Sequence, residues 1–271
     1  MKLLVSAFLL LALGYLATAE VLPSSFQKCN NFFLKKQPPT GPAGPQYKKI
    51  CQKRDPAAGY EFATLYDTNL RIPIYSAYEF QSKGSCSRTW YIEPQLDDPT
   101  KGPEMVSEDK VTKPPRGDNQ ALNGDYPGTD YVKGHLVPVR HRNAQACSEA
   151  TFTLTNVAPQ NRKFNQGAWS TQKGKVSDDL TDNCLNRGFH AYIVTGVVPG
   201  NNPPINGRVN IPDYFWSAYC CVNNNNVHQL SGAYYGKNDI TNTVATTTVA
   251  NLNAMLQGVY GTGFSVFGNN C

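Results

Sequence analysis

Tyr131-Val132-Lys133-Gly134-His135, followed by Asn156 and then by Phe164-Asn165-Gln166-Gly167-Ala168-Trp169, is the part of the chain on which its reading turns. Residues 131–139 have β character. Residues 150–157 (ATFTLTNV) alternate and are rich in β-branched side chains, which predicts a second strand. From 165 to 185 only Gly167 and Gly174 interrupt a run that can hold a helix. A strand–loop–strand–helix unit over residues 131–185 is therefore expected.

The same unit carries the charge. Lys133, Arg140, Arg142, Arg162, Lys163, Lys173 and Lys175 fall between 133 and 175, and Glu149 is the sole acid there, although the whole chain is only +5. Basicity this local would attract a polyanion and steer its approach; a solvated basic face is the plainer alternative. Hydrolysing a phosphodiester requires a base to activate water and fixed positive charge to offset the extra negative charge of the transition state. It also needs stabilisation of the leaving oxygen. His135 can serve as the base. Lys133 can supply charge, and its proximity would lower the pKa of His135 and keep the imidazole neutral. The amide oxygen of Asn165 can ligate a Mg²⁺ that keeps most of its waters, with substrate phosphate completing the shell. Of the other histidines, His190 reads as core, His228 as part of an Asn-rich turn and His141 as part of a basic loop.

Outward from this unit, residues 63–80 predict a hairpin turning at Asp67-Thr68-Asn69, and 189–198, 209–222 and 230–235 predict further strands. Residues 246–256 predict a helix, and 32–59 predict an irregular exposed segment. Residues 97–129, with five prolines, read as a long loop. That loop includes the adhesion-like tripeptide Arg116-Gly117-Asp118, which would need an exposed tip to act. The composition, 17% charged and 11% aromatic, excludes a disordered or fibrous chain.

Lys2, the apolar run 3–16 and Ala17-Thr18-Ala19 form a signal-peptide pattern over residues 1–19. The run is shorter than the roughly 20 residues a spanning helix needs. A secreted protein with no membrane association is expected, with one α+β domain over 20–271. Its eight cysteines predict four disulfides among 105 possible connectivities, with Cys220 and Cys221 bonded to different partners.

VKGH, TLTNVAPQ and FNQGAW together resemble the non-specific DNA/RNA endonucleases of ββα-metal (His-Me finger) fold, whose signature is D-R-G-H. The likeness extends through CNNFFLKKQPP, EFATLYDTNLRIPIYSAYEF and VVPGNNPPINGRVNIPDYFWSAYCC. It implies a mixed sheet with flanking helices and Mg²⁺-dependent cleavage of DNA and RNA with little sequence preference. It implies His135 as general base, Asn165 as direct metal ligand, Asn156 as an orienting side chain, and Arg88 as a contact to phosphate and leaving group. Lys133 would steady developing charge, and Arg140, Arg142, Arg162, Lys163 and Lys173 would hold the phosphate backbone. Three positions depart from the pattern. Val132 replaces the signature aspartate, Lys133 replaces the arginine and loses its bidentate fork, and Lys173 occupies the position of a helix glutamate. A nuclease-fold protein that binds nucleic acid or another polyanion without turnover is the alternative.

Overall fold

Adjacent Cys220 and Cys221 point to opposite faces of one strand, and the layers of the protein are arranged around that strand. The computed structural model describes residues 20–22, 25–54, 59–82, 89–112, 114–128, 130–142 and 149–271. Its strands begin with β1 (Glu20–Leu22), β2 (Tyr47–Gln52), β3 (Phe62–Asp67) and β4 (Ile72–Glu79). Two short pairs follow: β5 (Tyr91–Ile92) with β6 (Val106–Ser107), and β7 (Tyr131–His135) with β8 (Val157–Asn161). The last four are β9 (His190–Val198), β10 (Tyr214–Val222), β11 (His228–Lys237) and β12 (Ala245–Thr247). Helices are α1 (Pro94–Asp97), α2 (Arg162–Gln166), α3 (Ala168–Asn183) and α4 (Val249–Tyr260). An eight-stranded antiparallel sheet runs β1-β2-β3-β4-β9-β10-β11-β12.

Alternating side chains cover both faces of this sheet. On one face Phe215, Ile193 and Val197 pack against Phe164, Trp169, Val176 and Leu180 of α2 and α3. On the other, Trp216, Ala218 and Val194 meet Phe26, Phe33, Leu252, Leu256 and Phe264. The alternation explains the cysteines: Cys221 reaches Cys184 beyond α3, while Cys220 reaches Cys271 on the opposite side. Cys29–Cys51 is the third disulfide. Cys86, Cys147, Arg88 and the predicted signal segment lie outside the described residues.

The hairpin at residues 63–80 is present as β3–β4, and the strands expected near 190, 214 and 230 are present with shifted ends. Three expectations are corrected. Residues 150–157 form no strand; β8 begins at Val157, after a 3-10 turn at Leu154–Asn156. There Thr153 and Thr155 hydrogen-bond the Glu93 carboxylate, and Asn156 hydrogen-bonds nearby main chain, so side-chain bonding overrides β propensity. The segment expected to be irregular, 32–59, contains β2, paired along its length with β3. His190 is not in the core: it is half exposed and paired with Glu79.

The proline-rich loop is tied down. Asp97 accepts hydrogen bonds from the Gly117 and Asn119 amides, and Arg71 and Arg208 donate to the Asp118 and Gly117 carbonyls. Gly117 is buried. The Arg116–Asp118 backbone therefore forms part of the packed surface instead of a free tip.

Candidate active site

β7 and β8 pair from Tyr131↔Asn161 to His135↔Val157 and lead directly into α2 and α3, which gives the expected ββα unit. Asn161 caps α2, its Oδ1 accepting from the Lys163 and Phe164 amides. Between the helices Gly167 takes a non-helical conformation, where an added Cβ would lie 2.7 Å from the Lys163 carbonyl oxygen. Asn242 Oδ1 accepts from Ala168 N at 2.7 Å and so restarts the helix. Phe164 and Trp169, ring centroids 5.4 Å apart, anchor the two helices in the core.

Lys133 and His135 share one side of β7 and meet the same ring. Trp90 lies 5.3 Å from the His135 ring, and Phe152 packs edge-on to it at 4.9 Å. The Lys133 ammonium sits over Trp90 at 4.7 Å and over Tyr126 at 5.3 Å. His135 Nε2 is sealed from solvent and has no hydrogen-bond partner among the described residues. The Lys133 main chain favours the protonated ring and works against this burial. An unpartnered ring nitrogen of this kind is available for proton transfer. Burial drives the His135 pKa down to about 3, aided by the charges of Lys173 and then Lys133. The imidazole is thus neutral across the physiological range. Lys133 lowers this pKa as expected from sequence, but Lys173 does so more strongly.

Lys173 is a residue whose position sequence spacing alone understates. It occurs on the inward stripe of α3, four residues after Trp169 and ahead of Val176, Ser177 and Leu180, all buried. Its ammonium loses hydration there, and its pKa falls to about 8, with nearby Arg140 contributing. Neither Lys133 nor Lys173 forms an ion pair with an acid of the described residues. Half-buried cations without an ion pair carry a desolvation cost, and an anion entering between them would recover part of it.

Asn165 donates through Nδ2 to Gln160 Oε1, and Gln160 in turn covers Gly134, the residue before His135. Asn165 Oδ1 accepts no hydrogen bond from the described residues. A neutral amide oxygen of this kind fits a hard divalent cation that retains waters and takes further oxygens from a phosphate.

The remaining expected site residues divide by location. Asn156 is fully buried: its Oδ1 accepts from Ser76 Oγ and Val137 N, and its Nδ2 donates to the Val137 and Thr151 carbonyls. It clips the turn before β8 to the chain leaving β7, so it positions the unit and presents no free group for chemistry. Arg140 is exposed beside α3, and Arg162 and Lys163 are exposed on α2. Arg142 is corrected: it is 1% exposed, paired with Glu61 at 3.1 Å and bonded to the Glu79 carbonyl, so it supports the interior and not a bound backbone. His141, expected in a basic loop, is buried, with Nδ1 2.8 Å from the Tyr78 hydroxyl. Trp90, Phe152 and Gln160 complete the site; only the aromatic content of the chain hinted at the first two.

A model of the DNA/RNA non-specific endonuclease family matches residues 48–269. The human Endonuclease domain-containing 1 protein is 36% identical over 204 residues, covering 73% of this chain and 40% of that protein. Its mouse counterpart is 35% identical over 221 residues, 79% of this chain and 43% of that protein. The chain thus spans less than half the length of these relatives. Human mitochondrial Endonuclease G is 39% identical over 79 residues, 29% of this chain and 25% of that protein. The solved structure of an EndoG/EndoGI complex shares the fold, with a TM-score of 0.53, 20% identity, and coverage of 76% of this chain and 83% of that one. The family match runs through both the strand pair carrying His135 and the helices carrying Asn165 and Lys173, and this chain belongs to the DNA/RNA non-specific endonuclease family.

Proposed function

We propose that this protein is a secreted endonuclease that hydrolyses phosphodiester bonds of DNA and RNA, assisted by Mg²⁺, with little sequence preference. One observation carries the reading: two partly buried lysines with no ion pair among the described residues act on a neutral histidine whose Nε2 has no partner among them. A phosphate would satisfy the lysines, and a water would satisfy the nitrogen.

In this reading Nε2 of His135 takes a proton from water as the water oxygen bonds to phosphorus and the bond from phosphorus to the leaving sugar oxygen breaks. The low pKa of the free site is compatible with this role, because an incoming phosphate adds negative charge beside the ring and raises its basicity. Lys133 and Lys173 offset the charge that grows on phosphorus-bound oxygens. A divalent cation held by Asn165 Oδ1 would supply positive charge at the leaving oxygen. Lys163 and Arg162 on α2, with Arg140, would meet flanking phosphates, which carry no base identity. Three disulfides support an oxidising compartment and hence secretion.

A second reading, binding without turnover, is favoured by Lys173 on the buried stripe of α3. Cleavage of plasmid and RNA by the wild-type chain and His135→Ala, each with Mg²⁺ and with EDTA, separates the two. Metal-dependent cutting lost in His135→Ala supports the hydrolase. Salt-sensitive nucleic-acid binding without cutting by the folded wild type replaces it with the binder.

A further inference from the structure

We infer that Lys173 keeps divalent cations out of the free protein, so that a cation enters at Asn165 only together with a nucleic-acid phosphate. The inference rests on the hydrolase reading above and adds an order of assembly to it.

Three observations carry it. The first is the donor set. Asn165 offers one neutral oxygen, and among the described residues the only trio of His, Cys, Asp or Glu side chains close enough to share an ion is Cys220, His228 and Cys271. Cys220 and Cys271 are consumed by their mutual disulfide, and His228 is on β11. Among the described residues, therefore, no prebuilt acidic cluster exists at Asn165. The second is the local charge. Lys173 sits on the core-facing stripe of α3 without an acidic partner among the described residues, and its field reaches His135 and His141 alike. Lys133, held between Trp90 and Tyr126, adds a second cation on the same strand as His135. The third is connectivity. Asn165 bonds Gln160, Gln160 lies against Gly134, and Gly134 adjoins His135, whose ring feels the charge of both lysines, so the Asn165 amide and the lysine field converge on His135.

A dication entering this region alone would meet the ammonium of Lys173 and that of Lys133, which Glu108 partly offsets, against one neutral ligand among the described residues. A phosphodiester brings the missing negative charge and further hard oxygens, so phosphate and cation should favour each other's binding. Because the coupling is reciprocal, nucleic acid should also bind more tightly with the cation than without it.

Mn²⁺ electron paramagnetic resonance tests this on the full chain, using a nuclease-resistant phosphorothioate oligonucleotide and the oligonucleotide alone as background. Wild type alone should leave the free Mn²⁺ signal unchanged. Wild type with oligonucleotide should take up Mn²⁺ beyond the background, at an affinity raised by roughly tenfold or more, within the usual range of such couplings. Lys173→Glu should bind Mn²⁺ without oligonucleotide, and Lys173→Gln should show a smaller gain. Near-UV circular dichroism establishes folding, and Lys173→Gln carries the test if Lys173→Glu fails to fold. Mn²⁺ uptake by wild type alone, no uptake beyond background in the ternary mixture, or no gain in a folded Lys173 variant would each overturn the inference. A wild type unable to cut nucleic acid would remove the hydrolase reading while leaving these titrations unaffected, so the two failures are distinguishable.

Discussion

A Cβ on Gly134 would lie 2.5 Å from Gln160 Cβ and 2.6 Å from Gln160 Oε1, the oxygen that accepts the Asn165 amide. The glycine of the VKGH segment is therefore required by close approach of a side chain across the ladder. Gly134→Ala would push Gln160 away and release Asn165. Overpacking of this kind costs about 1–3 kcal/mol. The variant should still fold, with a lowered melting temperature, and should lose cleavage well beyond what the remaining folded fraction explains. Unchanged specific activity per folded molecule would show that the Gln160–Asn165 hydrogen bond is not needed.

Asn156 and His135 should separate under mutation. Asn156→Ala removes the buried hydrogen bonds to the Val137 amide and carbonyl and to the Thr151 carbonyl. Each group left unsatisfied costs about 1–3 kcal/mol, so the two Val137 groups alone set an expected loss of at least about 2 kcal/mol in urea denaturation. His135→Ala removes a ring whose Nε2 has no partner among the described residues, and should change stability less while abolishing cleavage. Equal destabilisation by the two substitutions would contradict the division between a positioning residue and a catalytic one.

Stability should depend on pH through three buried groups. Burial lowers His135 and His141 from 6.5 to about 3, so the unfolded chain binds more protons between those values. Their contribution is full above pH 6.5 and is lost as pH falls toward 3, at up to about 1.4 kcal/mol per unit for each group. Burial raises Glu93 from 4.5 to about 8, against hydrogen bonds from Thr153 and Thr155. Its contribution is full below pH 4.5 and is lost as pH rises toward 8. Between pH 3 and 8 these groups together place maximum stability near 6.5. Glu93→Gln should flatten the decline from 6.5 to 8, as read from unfolding free energies at half-unit steps. A decline as steep as in wild type would remove Glu93 as its cause.

The ββα unit was legible because its signals are local: a glycine–histidine pair, an amide at the start of a helix, and aromatic anchors at Phe164 and Trp169. The different partners of Cys220 and Cys221 were legible from the same kind of reasoning, since a strand sends neighbouring side chains to opposite faces. What escaped was set by distant contacts. The β-branched run 150–157 reads as a strand until the Glu93 carboxyl and the Val137 main chain take up its side chains. Arg142 reads as surface charge until Glu61, far away in sequence, pairs with it inside. Lys173 is visible as a cation, but its desolvation depends on how α3 packs on the sheet.

That contrast among cations gives a final prediction in binding. Each Lys or Arg that neutralises a phosphate of duplex DNA adds about 0.9 to the slope of log affinity against log salt. Lys163→Ala, on exposed α2, should lower the slope by about one such contact and weaken different sequences alike. Lys133→Met keeps an apolar stem between Trp90 and Tyr126 but removes the charge, and should lower the slope similarly. Arg142→Met should behave differently. Its guanidinium is buried against Glu61, and losing one partner of such a pair costs about 3–5 kcal/mol. That variant should melt earlier, while its folded fraction binds with the wild-type slope. Fluorescence anisotropy with one labelled duplex at several salt concentrations, run beside thermal melts, reads both quantities. A reduced slope for folded Arg142→Met would place that arginine back at the phosphate surface. An unchanged slope for Lys133→Met would detach the aromatic-held ammonium from nucleic acid altogether.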